Sequence, residues 1–158
     1  MIVVICIIAL CAALLLDRLR YYQEAAEKAA MEQTVGVLKS ALQLRVAAML
    51  LKGQEQNIGS LASANPIEWL IDPPPGYRGE FRAPDPAVPR GSWYFDVTRG
   101  ELVYVPDLDA QLKPAPDGSK RLRFRVQIEF EPVERNSKRE RGSLAATRLA
   151  PVAPYSWF

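Results

Sequence analysis

MIVVICIIALCAALLLDRLRYYQEAAEKAAMEQTVGVLKSALQLRVAAMLL, residues Met1–Leu51, reads as one helix that changes character partway along. Residues 1–16 contain no charged residue, no Gly and no Pro. From Asp17 onward charges enter without interrupting the helical spacing. Val35, Leu38, Leu42, Val46 and Met49 recur at the interval of one helical face, and Ala41, Leu44 and Ala48 broaden it. Glu24, Lys28, Glu32, Lys39 and Gln43 are expected on the opposite, wet face, with Glu24 and Lys28 in the favourable i,i+4 order. Gly36 interrupts this pattern at a cost of about 1 kcal/mol relative to Ala. A wide apolar face of this kind needs a sheet to cover it.

The first part poses a different problem. Sixteen residues at 1.5 Å each extend about 24 Å, short of the roughly 30 Å hydrocarbon core of a bilayer. Three readings compete: a membrane-inserted segment, a cleaved signal peptide and a buried core helix. A signal peptide calls for a basic stretch before the apolar run and a small-residue cleavage site after it, whereas here DRLRYY follows. A helix apolar on all sides for four turns demands a larger core than the rest of the chain can build. Membrane insertion fits best.

MIVVICIIALCAALL resembles the hydrophobic N-terminal helix of type IV pilins and of the pseudopilins of type II secretion systems. LDRLRYYQEAAEKAAMEQTVGVLKSALQLRV is similar to the amphipathic second half of that helix. The resemblance covers about the first third of the chain. It implies an α+β fold in which the long helix packs against a small antiparallel sheet of three to four strands. Family precursors carry a basic leader ending in Gly, followed closely by a Glu; neither precedes Met1, which leaves two readings open: the family alignment places about six residues of the mature helix upstream of it, or Met1 is the true beginning and the family's leader processing does not carry over. The family also often has Pro near the membrane boundary, where this chain has Leu16 and Asp17.

The resemblance implies assembly through the apolar run, with Met1, Val4, Ile5, Ile8, Ala9, Ala12, Ala13 and Leu16 as the packing residues. The small side chains among them permit close helix approach. The implied partners are identical or homologous pilin subunits, the inner-membrane assembly machinery, and the lipid bilayer before assembly. The implied location is the bacterial inner membrane, single-pass with the head periplasmic, or an extracellular filament. Arg18, Arg20 and Lys28 follow the run and nothing basic precedes it, so the positive-inside rule alone would put the head in the cytoplasm. The family orientation is the one expected here.

With 158 residues, the chain keeps enough after the rod for one small domain. Twenty basic and 18 acidic residues leave a net charge of +2, too balanced for a whole-molecule attraction to nucleic acid. Cys6 and Cys11, the two cysteines, lie five positions apart on the helix, beyond disulfide reach of one another. The head must therefore hold together without a disulfide.

Four stretches are expected: residues 1–16 as membrane or filament-core segment, 17–52 as its amphipathic continuation, 53–91 as a Pro-rich connection, and 92–158 as an antiparallel sheet. Gly53 suits a helix C-cap, and Asn65-Pro66 matches an N-cap before a short helix to Ile71. Pro73–Pro75, Pro84, Pro86 and Pro89 read as loop up to Gly91, pinned to the domain by Trp69, Tyr77 and Phe81. Ser92–Val97 and Glu101–Val105 form a hairpin across Thr98-Arg99-Gly100. Leu122, Phe124, Val126, Ile128 and Phe130 alternate with charged and polar residues, so one face is buried and the other wet. Ser143–Leu149 can return as a fourth strand after the charged turn ERNSKRERG, and PVAPYSWF is at best an edge. The expected head core is Leu38, Leu42, Met49, Trp93, Phe95, Phe124, Val126 and Ile128.

The chemistry is sparse. With no His in the sequence, the commonest general base and metal ligand is missing, and no G-x-S-x-G, P-loop, H-E-x-x-H or C-x-x-C occurs. No enzymatic activity and no cofactor are expected. Asp107, Asp109 and Asp117 share one loop and offer a weak calcium set, with solvated turn acids the stronger reading. Lys120, Arg121, Arg123 and Arg125 with Lys138, Arg139 and Arg141 suggest a positive stripe. The interleaved Glu129, Glu131, Glu134 and Glu140 make cross-strand ion pairs the better account, and DNA is not expected as a partner. The expected function is a structural subunit of a type IV pilus or secretion pseudopilus; the alternative is a non-polymerising single-pass membrane protein with a periplasmic interaction domain.

Overall fold

The computed structural model describes residues 1–82, 87–130 and 144–158. A single helix, α1, runs from Ile2 to Leu51, about 75 Å at 1.5 Å per residue. No Pro falls within it, and Gly36 lies on an exposed turn. The helix stops where expected. Gly53 takes φ +66°; its N–H reaches Leu50 O at 3.0 Å while Gln54 N–H reaches Met49 O at 2.9 Å. That crossed pair is the Schellman arrangement, which satisfies carbonyls that the helix end leaves open.

Two 3-10 helices follow, Glu55–Ala62 and Pro66–Trp69. Asn65 caps the second, its side-chain oxygen accepting from Ile67 N–H at 3.1 Å. The Asn65 amide also donates to Tyr77 Oη at 2.7 Å and Glu80 Oε1 at 3.0 Å, tying the connection to the sheet.

The fold is α+β, a long helix over one sheet, but the sheet has five strands rather than three or four. They are β1 (Tyr77–Phe81), β2 (Ser92–Asp96), β3 (Glu101–Val105), β4 (Leu122–Phe130) and β5 (Leu144–Pro151), ordered in space as in sequence. It is also mixed: β1 runs parallel to β2, and the other neighbours are antiparallel. The extra strand lies in the stretch read as loop. It escapes a strand reading because its five residues hold only two large apolar side chains, Tyr77 and Phe81, none is fully buried, and its pairing slips between Tyr77 and Glu80. Gly76, just before it, has no room for a side chain: at φ +79° a Cβ would stand 2.6 Å from Gly91 O.

β5 pairs with β4 from Leu144 to Pro151, the return strand expected from Ser143–Leu149. The charged turn between them, with Lys138, Arg139, Arg141, Glu131, Glu134 and Glu140, lies outside the described residues, as do Pro84 and Pro86. The β2–β3 turn is held by Asp96, whose Oδ1 accepts from Thr98 N–H at 2.9 Å and Arg99 N–H at 3.1 Å.

The core lies between α1 and the inner face of the sheet. Met31, Val35, Leu38, Leu42 and Val46 meet Trp93, Phe95, Leu102, Leu122, Phe124, Val126 and Leu149. Ile58, Leu61, Ile67, Leu112 and Trp157 close its ends, and Met49 and Ile128 pack at its margin, partly buried. Leu44 and Ala48 do not broaden the buried face. Both are exposed, Leu44 at 73%, because the sheet covers a narrower stripe than the composition allows.

Candidate functional site

Two features of the rod stand out: how the head grips it, and what the head leaves uncovered.

The grip is made by acids. Extending the buried stripe toward the N-terminus, past Met31, brings Lys28, Glu27 and Glu24 beneath the head. Glu24, expected on the wet face, is buried at 3% exposure. Its Oε1 accepts from Gln111 N–H at 2.8 Å and from the Trp157 indole N–H at 2.9 Å. Glu27 Oε1 accepts from the Tyr104 hydroxyl at 2.7 Å and Asp107 N–H at 2.6 Å, while Oε2 takes Leu108 N–H at 2.8 Å. Lys28 Nζ donates to Trp157 O at 2.8 Å and stands 3.9 Å from Glu32, not paired with Glu24.

The loop of residues 106–112 carries N–H groups that no strand uses, and a carboxylate is the acceptor that can satisfy several at once. A buried charge demands such donors in return. Burial first, and then the Glu27 carboxylate, hold the Tyr104 phenol well above the ordinary tyrosine range. Trp157 is 1% exposed and bridges to Leu112, so the tail expected to be at best an edge plugs the end of the core. The missed signal was available: the stripe's own i,i+3/i,i+4 spacing continues through Glu24.

The three loop aspartates go separate ways. Asp109 pairs with Arg90 at 2.8 Å and stands 3.9 Å from Lys120. Asp117 pairs with Arg123 at 2.8 Å, and Ser119, with smaller help from Arg123, holds its carboxyl down to about 2. Asp107 contributes its backbone N–H to Glu27. No cluster of three or more metal-ligating side chains occurs among the described residues.

The expected positive stripe is divided among local partners. Arg121 donates to Tyr94 Oη at 2.9 Å, Arg125 to buried Glu101 at 2.6 Å, and Arg148 to Glu129 at 2.7 Å. Phe81 meets the Tyr94 ring edge-on at 5.8 Å, so this outer face is partly roofed.

The uncovered part is more extensive. Met1, Val4, Ile5, Ile8, Ala9, Ala12 and Leu16 are all exposed, Ile8 at 63% and Leu16 at 60%; the Ala13 side chain lies outside the described set. Beyond the run, an exposed stripe continues up the rod. Ile2, Ile5, Ala9, Ala12, Leu16, Leu19, Gln23, Ala26, Ala30, Gln33, Val37, Ser40, Leu44, Ala47 and Leu51 follow a seven-residue repeat, and every one is exposed. Not one is charged. Ala26, Gln33, Val37, Ser40 and Leu44 each stand two residues past a buried one (Glu24, Met31, Val35, Leu38 and Leu42), which is about 200° of rotation and places this part of the seam on the side away from the head.

By length and composition α1 holds a stretch able to cross a membrane. That stretch lies within Arg18–Leu51, whose inner face is under the head; the preceding Ile2–Ala12 is apolar and exposed but shorter. No family model matches the chain, and neither a curated protein nor a solved structure matches it.

Proposed function

We propose that the chain is a structural subunit of a filament of the type IV pilin and pseudopilin kind, without enzymatic activity, polymerising through its rod. The observation that carries this reading is the uncharged heptad seam facing away from the head, continuous with an apolar run whose described side chains are all exposed. A monomer gains nothing from leaving such a surface in water. A heptad seam is buried by other helices, and because seven residues fall about 20° short of two full turns on a straight helix, rods sharing it wind left-handed. Small residues such as Ala9, Ala12, Ala26 and Ala30 let backbones approach. The subunit would wait in a bacterial inner membrane as a single-pass protein with its head in the periplasm, and partner there with identical or homologous subunits and their assembly machinery.

Two substitutions test it in the full chain. Ala9→Asp puts an unpaired carboxylate into the packed run, where desolvation costs several kcal/mol. Leu44→Asp alters a side chain 73% exposed, outside the apolar run and away from the head core. Both should vanish from sheared filament fractions, and Leu44→Asp should keep its membrane attachment and its melting temperature. Leu44→Asp entering filaments at the normal level would reject the seam. A membrane protein that forms no filament in any variant would point instead to a non-polymerising anchor carrying an interaction head.

A further inference from the structure

The head meets the rod close to the end of the apolar run. Tyr21 stands five residues past Leu16, about 7.5 Å along the axis, and the Phe158 ring packs edge-on against it at 5.1 Å. Tyr22 meets Tyr21 at 5.7 Å. Lys28 Nζ lies 5.7 Å from the Phe158 ring centre. These rings are anchored but not buried: Tyr21 is 43% exposed, Tyr22 65% and Phe158 44%. Interleaved with them, Arg18 and Arg20 are exposed and have no ion-pair partner among the described residues.

We infer that this collar of Tyr21, Tyr22, Phe158, Arg18 and Arg20 is a seat on the phospholipid headgroup layer, so that the base of the head rests directly on the bilayer with no stalk between. The inference rests on the reading of residues 1–16 as membrane-embedded. Each headgroup layer is about 5 to 8 Å deep outside the hydrocarbon, which matches the axial distance from Leu16 to the tyrosines. Tyrosine rings, with an apolar body and a polar hydroxyl, favour that depth, and the Phe158 ring packs against Tyr21 there. Arginines there face phosphates, their natural bidentate acceptors. The partner is thus an anionic lipid surface, recognised by charge and by aromatic insertion together. Fixing Phe158 to Tyr21 through ring contact, and the preceding residue to Lys28 and Glu24, gives the tail one height on the rod, so the seat is built before any lipid arrives.

The test uses the full chain in nanodiscs of phosphatidylcholine and phosphatidylglycerol, with fluorotyrosine at its six tyrosines, assigned by Tyr→Phe variants, and a fluorinated tag on Cys6 in a Cys11→Ala background, since both thiols are free and exposed. Lipids carrying a nitroxide on the headgroup should broaden Tyr21 and Tyr22 several-fold more than Tyr77 and Tyr94. Lipids with the nitroxide on the acyl chain should broaden the Cys6 tag. Arg18→Gln with Arg20→Gln should reduce the Tyr22 broadening and abolish its dependence on phosphatidylglycerol, leaving the Cys6 signal unchanged. Tyr21 and Tyr22 broadened no more than Tyr94, with Cys6 still in lipid, overturns the seat while the membrane reading survives. A Cys6 tag untouched by acyl-chain nitroxide overturns both.

Discussion

Glu24 shows how one side chain can carry two parts of a chain at once. Its single oxygen Oε1 holds the Gln111 amide and the Trp157 indole, and the indole N–H, buried with Trp157, would otherwise have no partner. Glu24→Ala strands that donor and frees the loop amide, and should cost about 1 to 3 kcal/mol in urea unfolding of the detergent-solubilised protein, the cost of an unmet buried donor. Glu24→Gln keeps an acceptor oxygen and should cost markedly less. Equal losses for the two would mean that the side chain's bulk, not its oxygen, holds the loop. Asp117 offers a second check. Its folded carboxyl titrates at about 2, against 3.8 unperturbed. A depressed folded value means the stabilisation is present above about pH 4 and disappears as pH falls through about 2. A carboxyl titration followed by NMR should show that midpoint, and Arg123→Gln should move it upward only modestly, because Ser119 is the larger cause.

Among elements, β4 was the most legible. Leu122, Phe124 and Val126 alternate with arginines because one face meets α1 and the other meets water, and that asymmetry prints a period of two on the sequence. Phe124, 2% exposed against Trp93 and Tyr155, should cost about 3 to 5 kcal/mol on replacement by Ala; a melt unchanged by Phe124→Ala would remove the sheet from the rod's upper half. The helix and its Gly53 stop were equally plain. β1 was not, since YRGEF offers only Tyr77 and Phe81 as large apolar residues, buries none of its five residues fully, and pairs in parallel across a slipped register. β2 was read as a strand and is one, but its outer face is not wet: all five residues are buried, with Tyr94 roofed by Phe81 and Arg121. The acidic grip was missed because Glu and Lys on a helix usually mark the wet side. Spacing was the better guide than residue type.

At the scale of the whole molecule, the rod presents opposite faces to different environments. One is committed to the head; the other is chargeless and uncovered over its entire length. If anchoring were the run's only role, an unrelated segment of similar hydrophobicity would replace residues 1–16 without loss. The packing reading expects otherwise: the swapped protein stays in the membrane fraction but is depleted from sheared filaments, because an arbitrary anchor lacks the register that the seam continues. Filaments at the normal level after the swap would confine assembly to the rod above Asp17, where Leu44→Asp then becomes the deciding variant.

The link from Glu24 to Trp157 spans 133 positions, and that separation sets a timetable. At about 5 to 20 residues per second of synthesis, Glu24 is added to the chain about 7 to 27 s before its indole partner exists. During that interval the end of the core has no plug, the loop amides that Glu24 and Glu27 will receive are still unmade or loose, and the rod is apolar on the side awaiting the head as well as on the seam. A nascent chain in this condition is a target for self-association long before it is a competent subunit. Early residence of the run in lipid would keep neighbouring copies apart while the last residues arrive, making the order of emergence itself a safeguard against premature bundling.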